Sequence, residues 1–416
     1  MSLMQGGKFT ISKTLRRAIG ALYVALLVIM AAATFVENAL GVSFAHRSIY
    51  GAWWFTALWA MLAASGAAYI VLRRERRLPV LLLHVSFLII LAGALLSHIF
   101  ARSGHIHLRM GERQRIVLVE HNGHQYYHRL NFSVTLTDFK VVEDEEGRVV
   151  DYVSRFSITD RNFPPHDSTS STTHTPQSAP SSASTPPTTS GEVSMNRIFR
   201  LGRMRFYQAS YDSDLLGSTL IINRDPYGIP VTYAGYALLL ISFLWLCLRR
   251  LPAWRIWLFG GALTVAWCLH YFVLDGTWTQ IPVLRSPLLF VHVTLIIMSY
   301  SLLVLQVARS TCRLLRKEKT VDDAAILRFA LCLLAIGIFL GAVWANISWG
   351  NYWSWDSKEV WALITMMLYA IPMHRASLPV FRRPTVWHAY ILLAFLAVLM
   401  TYFGVSYLLT GLHSYN

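Results

Sequence analysis

The sequence predicts an α-helical polytopic membrane protein of about nine transmembrane helices, carrying a small β-rich extracytoplasmic domain. Two observations predict it. Of the residues, 55% are hydrophobic and only 14% charged, whereas a soluble domain carries about a quarter charged residues. The cations behind the formal net charge of +15 fall in short clusters beside apolar runs. That is the pattern of membrane topology, and it argues against a nucleic-acid partner.

A crossing helix needs roughly 20 apolar residues. Runs of that kind lie at 17–36, 50–72, 79–100, 231–248, 255–274, 287–308, 327–346, 358–373 and 385–411. The first is long enough to span, which predicts an uncleaved helix and not a signal peptide. Cationic clusters occupy the N-terminus and every second connection: Lys8/Lys13/Arg16/Arg17, Arg73/Arg74/Arg76/Arg77, Arg249/Arg250/Arg255, Arg309/Arg313/Arg316/Lys317/Lys319 and Arg375/Arg382/Arg383. Nine spans place all of these on the cytoplasmic side, and the connections between 344 and 361 and beyond 411 outside.

The same count puts 101–230 outside. Asn131–Asp138 and Met204–Ala209 alternate apolar and polar residues as strands do. Residues 164–191 are rich in Ser, Thr and Pro, which cannot build a core and predict a disordered insert. The chain thus divides into three spans (1–100), the external domain (101–230), one further span (231–250) and a second membrane unit (251–416). Cys247, Cys268, Cys312 and Cys332 lie in or beside apolar runs with no CxxC spacing. They predict buried small residues, not a dithiol or zinc site.

Residues 344–361 read WANISWGNYWSWDSKEVW, with Trp344, Trp349, Trp353, Trp355 and Trp361 among them. Interfacial tryptophans are ordinary in membrane proteins. Five in one external loop, with Gly350 and Asp356, suit a flat platform for a planar aromatic ligand. Asp356-x-x-Glu359 also reads as a capping box opening the next helix, and a helix N-terminus left partly open attracts an anionic group.

These residues carry a resemblance. WGNYWSWDSKEVWALI resembles the tryptophan-rich WWD signature of haem-handling proteins, and is most similar to the CcsA/ResC branch of System II cytochrome c synthases. Ser286–Tyr300 and Gly411–Tyr415 resemble the two histidine-bearing segments that flank the signature there. Pro79–Gly93, RFYQASYD and NRDPYGIPVTYAG resemble the partner family CcsB/ResB, so the whole reads as a fusion of the two. It departs from the pattern in a shorter external domain and in five C-terminal spans instead of six or more.

Haem iron takes neutral imidazole as an axial ligand. Topology puts His292 and His413 near the outer face, together with His46, His98 and His270; it puts His84 and His374 near the inner face, together with His388. The resemblance selects His292 and His413 as ligands of an external haem beside the tryptophans, and His84 and His374 as ligands of a transmembrane haem. The external His121, His124 and His128 share a face if helical, but the better reading is a solvated loop. His105 and His107 alternate as on a strand.

The resemblance implies a holocytochrome c synthase of a bacterial inner membrane. It would carry haem b outward and promote thioether attachment to CxxCH motifs of apocytochromes c, with thiol–disulfide reductant proteins and membrane lipid as further partners. No side chain is required as a covalent nucleophile. Sequence leaves open a haem exporter without ligation activity, or a b-type electron-transfer subunit.

Overall fold

The computed structural model describes residues 2–121, 124–145, 147, 149–160, 188–195, 197–248, 286–318 and 324–409. Seven of its helices are long and apolar enough to cross a membrane. They are α1 (Ser2–Leu40), α2 (Trp53–Arg73), α3 (Leu78–Phe100), α4 (Gly228–Leu248), α5 (Pro287–Leu315), α6 (Ala324–Ser348) and α8 (Pro384–Leu408), with a shorter α7 (Ser357–Ala370) between the last two. Pro79, Pro287 and Pro384 stand in the first turns of α3, α5 and α8, where a missing N–H costs nothing.

Seven of the nine expected spans coincide with these seven helices. The run 255–274 lies outside the described residues. The run 358–373 is shorter than expected: α7 has 14 residues and continues as a 3-10 turn, Ile371–His374. Pro372 supplies no N–H and tightens that end. At 1.5 Å per residue α7 rises about 21 Å, less than a bilayer core of about 30 Å.

Three cores hold the chain together. One joins α4 to α6, α7 and α8 through Phe243, Leu334, Tyr369 and Trp387. A second packs α1 and α2 on α7 through Leu26, Met30, Phe55, Val360 and Ile364. Tyr23 on α1 donates to the Met367 carbonyl at 2.8 Å and Trp361 Nε1 donates to Thr34 Oγ1 at 3.1 Å, which fixes α1 along α7. Val28, Ile241 and Leu393 turn outward, as lipid-facing positions would.

The third core lies inside an eight-stranded antiparallel sheet between α3 and α4. Its strands are β1 (Arg102–Arg109), β2 (Arg113–His121), β3 (His124–Glu143), β4 (Val149–Asp160), β5 (Thr188–Val193), β6 (Phe199–Leu201), β7 (Met204–Tyr211) and β8 (Gly217–Arg224), in the order β5-β4-β3-β2-β1-β8-β7-β6. The sheet curls until β5 touches β6 and β7. Ile106, Leu136, Phe156 and Phe206 fill its interior, and the inward Ser154, Gln208 and Ser218 satisfy one another at 2.6–3.0 Å.

Both expected strands fall within this sheet, in β3 and β7. The expected insert ends sooner than composition suggests, because Thr188–Val193 pair with β4; residues 164–187 lie outside the description. His121, His124 and His128 belong neither to a helix nor to a loop. They stand on the β2–β3 hairpin, with His121 opposite His124 and His128 opposite Val117. Cys332 is buried as expected, but Cys312 is exposed near the end of α5.

Candidate functional site

The tryptophan segment is less of a loop than its sequence suggests. Trp344 is buried in α6 and Trp361 lies in α7, so 349–356 alone connect the helices. Nor do the rings make one flat platform. Trp344 and Trp349 meet at 4.8 Å and 68°, and Trp353 and Trp355 at 5.9 Å and 87°. Edge-to-face contact is what opposed ring quadrupoles favour. The coplanar partner of Trp355 is Tyr50, stacked at 5.0 Å and 10°. Trp355 itself adopts φ 59°, a left-handed conformation costly for a bulky residue, which the Tyr50 stack and an edge contact from Phe55 hold in place.

The sheet and α3 hold this connection and the end of α6. Asn223 on β8 donates to the Gly350 carbonyl, Tyr207 on β7 donates to the Asn346 carbonyl at 3.3 Å, and Tyr352 donates to Ser97 at 2.9 Å. Gly350 has φ 81°, and a Cβ there would strike the Tyr207 ring. Asp356 caps α7 by accepting from the Lys358 N–H at 3.0 Å. Glu359 reaches past it to the Ser354 N–H and hydroxyl, at 2.8 and 3.1 Å. The capping box is therefore displaced toward Ser354. Asp356 is only 4% exposed, occupies the helix N-terminus itself, and does not line the main cavity.

His46 also belongs to this neighbourhood. It begins the π-helical turn His46–Tyr50, with its ring 5.7 Å from Tyr50 and its side chain toward the Ser354 backbone. Burial lowers its pKa below the usual imidazole value, against the opposing pull of Ser354 and Glu120. The sequence put His46 near this face without selecting it. Tyr50, Thr34, Asn223 and Tyr207 were not foreseen, because their partners lie from 127 to 327 residues away in sequence and leave no local signal.

The predicted ligands separate into three situations. His84 on α3 and His374, at the end of the α7 turn, have ring centres 6.0 Å apart. Each Nδ1 faces its own helical carbonyl, Val80 O at 2.8 Å and Ala370 O at 2.9 Å. A carbonyl can only accept, so each Nδ1 carries a proton, which leaves Nε2 as the ring nitrogen that can bind a metal. The donor set thus fits a bis-imidazole iron. His292 lies elsewhere, on the α5–α6 seam: its Nδ1 donates to the Gly337 carbonyl at 2.7 Å, and its ring covers Gly341. It does not line the main cavity. His413 lies outside the described residues.

One cavity of about 2260 Å³ connects much of this. His84 and His374 line one end; Trp349, Gly350, Trp353 and Trp355 line the other, beneath β8. Its walls between are apolar, from Phe87, Leu91, Phe339, Leu363 and Met367. The buried Trp353 Nε1–H at the sheet end has no hydrogen-bond partner among the described residues.

Residues 73–228 match the ResB-like family, and residues 255–413 match the family described as cytochrome C assembly protein. The chain thus carries a segment similar to the ResB-like family, followed by one similar to the cytochrome C assembly family. Among curated relatives, Protein NrfI of Wolinella succinogenes is 36% identical over 177 residues, covering 38% of this chain and 19% of that protein. Cytochrome c biogenesis protein CcsA of Chlamydomonas reinhardtii is 35% identical over 153 residues, covering 33% of this chain and 42% of its own length. CcsA of Gloeobacter violaceus is 47% identical over 102 residues, covering 24% and 29%. The chain therefore spans less than half the length of each of these three. His84 belongs to the ResB-like segment and His374 to the assembly segment, so the imidazole pair forms only where the two meet. The Gly350 and Asn346 anchors cross the same boundary, from Asn223 and Tyr207.

Proposed function

We propose that this protein acts in cytochrome c biogenesis, moving haem b from His84 and His374 at the cytoplasmic side of a bacterial inner membrane to the tryptophan connection outside. There it promotes thioether attachment to CxxCH motifs of apocytochromes c. The observation that carries this reading is the single cavity with the imidazole pair at one end and the tryptophans at the other. Apolar walls suit a porphyrin face, and two neutral imidazoles suit its iron.

In the attachment step a cysteine S–H adds across a haem vinyl group: a C–S bond forms, the vinyl π bond is consumed, and the thiol proton ends on the neighbouring carbon. No protein nucleophile is needed, so the chain's part is positioning. His292 and His413 would hold the external iron while the tryptophans support the ring, and Asp356 keeps α7 in register. The thiols must arrive reduced, which calls for thiol–disulfide reductant proteins as partners.

Purified protein should show a low-spin haem spectrum when reduced. His84→Ala or His374→Ala should lower haem content by about tenfold or more while leaving the protein inserted, as loss of a metal ligand or its support does. His292→Ala or His413→Ala should abolish maturation of a co-expressed apocytochrome in a host lacking other machinery, with partial rescue by imidazole. Haem content and maturation unchanged in all four variants would sink the reading. Haem loading without covalent product from the unaltered chain would make it an exporter.

A further inference from the structure

At the end of the bundle away from the sheet, the arginines divide into two groups. Arg16, Arg73, Arg77 and Arg328 line the cavity, whereas Arg17, Arg74 and Arg76 do not. Arg77 is engaged by Glu75, which accepts from it at 2.8 and 3.0 Å, and Glu75 is the one carboxylate lining this end among the described residues. Arg16 and Arg73 have no carboxylate partner among the described residues.

Arg16 bonds the turn that follows His374, and Arg73 lies against Tyr69, which bonds the same turn. Arg16 Nη1 donates to the Ser377 carbonyl at 2.9 Å, and Tyr69 donates to Ser377 Oγ at 3.1 Å. The Arg73 guanidinium sits 5.7 Å from the Tyr69 ring centre. The Ser377 and Leu378 N–H groups in turn donate to the His374 carbonyl, at 2.8 and 2.9 Å. One guanidinium is thus bonded to the turn after His374 and a second lies against the tyrosine bonded to that turn, and all three line the same cavity.

We infer that Arg16 and Arg73 form a carboxylate subsite that takes the propionates of haem held between His84 and His374; this deepens the function proposed above and rests on it. A propionate drawn into an apolar cavity is costly unless it is paired, and the planar guanidinium matches a carboxylate with two parallel N–H donors. Membrane orientation alone does not account for the arrangement. It requires positive charge at this end, which Arg17 and Arg74 supply from outside the cavity. A phospholipid headgroup offers similar anionic chemistry, so the test must separate the two.

The full-length protein in nanodiscs is titrated with haem and with haem dimethyl ester, whose carboxylates are blocked, in zwitterionic and in anionic lipid. Charge-assisted hydrogen bonds predict a preference of about tenfold or more for haem over the ester. R16Q/R73Q should lose that preference while binding the ester as the unaltered chain does, which also certifies folding; R17Q/R74Q, with the same charge change, should keep it. A preference that survives in R16Q/R73Q overturns the subsite. So does one abolished by anionic lipid, which would assign the pair to a headgroup. Haem bound through His84 and His374 with no discrimination against the ester defeats the subsite alone, whereas a bound spectrum untouched by His84→Ala defeats the reading beneath it.

Discussion

His46 shows how one side chain ties the tryptophan connection to the helix turn before α2. Its pKa is lowered chiefly by burial, so the folded protein favours the neutral ring. For a base lowered in the folded state, the native contact is fully present above the unfolded value of about 6.5 and weakens as pH falls below it toward the lower folded value. Acidification from pH 7.5 to 5.5 should therefore loosen the Tyr50–Trp355 stack, read as a change in tryptophan fluorescence. His46→Gln should flatten that profile. A His46→Gln protein with an unchanged pH profile would assign the titration to another group.

Among elements, the α5–α6 seam matters most, because it holds His292 through the Gly337 carbonyl and the space over Gly341. Small residues on α6 let α5 approach, and Gly341 is where the imidazole rests; a Cβ there would lie 2.6 Å from its ring. Ala in place of Gly normally gains about 1 kcal/mol inside a helix. Gly341→Ala should instead lower thermal stability, by about 1–3 kcal/mol from overpacking, and should impair apocytochrome maturation while leaving haem at His84 and His374. A more stable Gly341→Ala protein with full activity would show that the seam yields freely and that His292 does not depend on it. α7 makes the complementary point. Its span was expected at full length, yet the helix stops at Ala370 and tightens through Pro372, which brings His374 back toward α3.

On the scale of the whole molecule, the alternating arginine clusters still predict the orientation. Reporter fusions after Arg76, Lys317 and Arg383 should report cytoplasm, and fusions after Asp160 and Asn416 the outside. An outside signal at Lys317 would reverse the tryptophan connection and the direction proposed for haem. The contacts described here also make the two family segments one unit. The sheet of one segment anchors the tryptophan connection of the other, and α1, which precedes both matched segments, is bonded to α7 through Thr34 and Tyr23.

The sequence by itself determined that the chain is built from apolar helices and a sheet, because burial in lipid or in a strand pair leaves a period of its own in the pattern of side chains. It also marked His84, His374 and the tryptophans, through resemblance more than through spacing. Only the tertiary structure decided that the His84 and His374 ring centres stand 6.0 Å apart, that Tyr50 is the stacking partner of Trp355, and that Arg16 and Arg73 line the cavity while Arg17 and Arg74 do not. Those facts depend on how helices distant in sequence cross. Hydrophobic periodicity specifies which face of each helix is buried, but not which neighbour buries it.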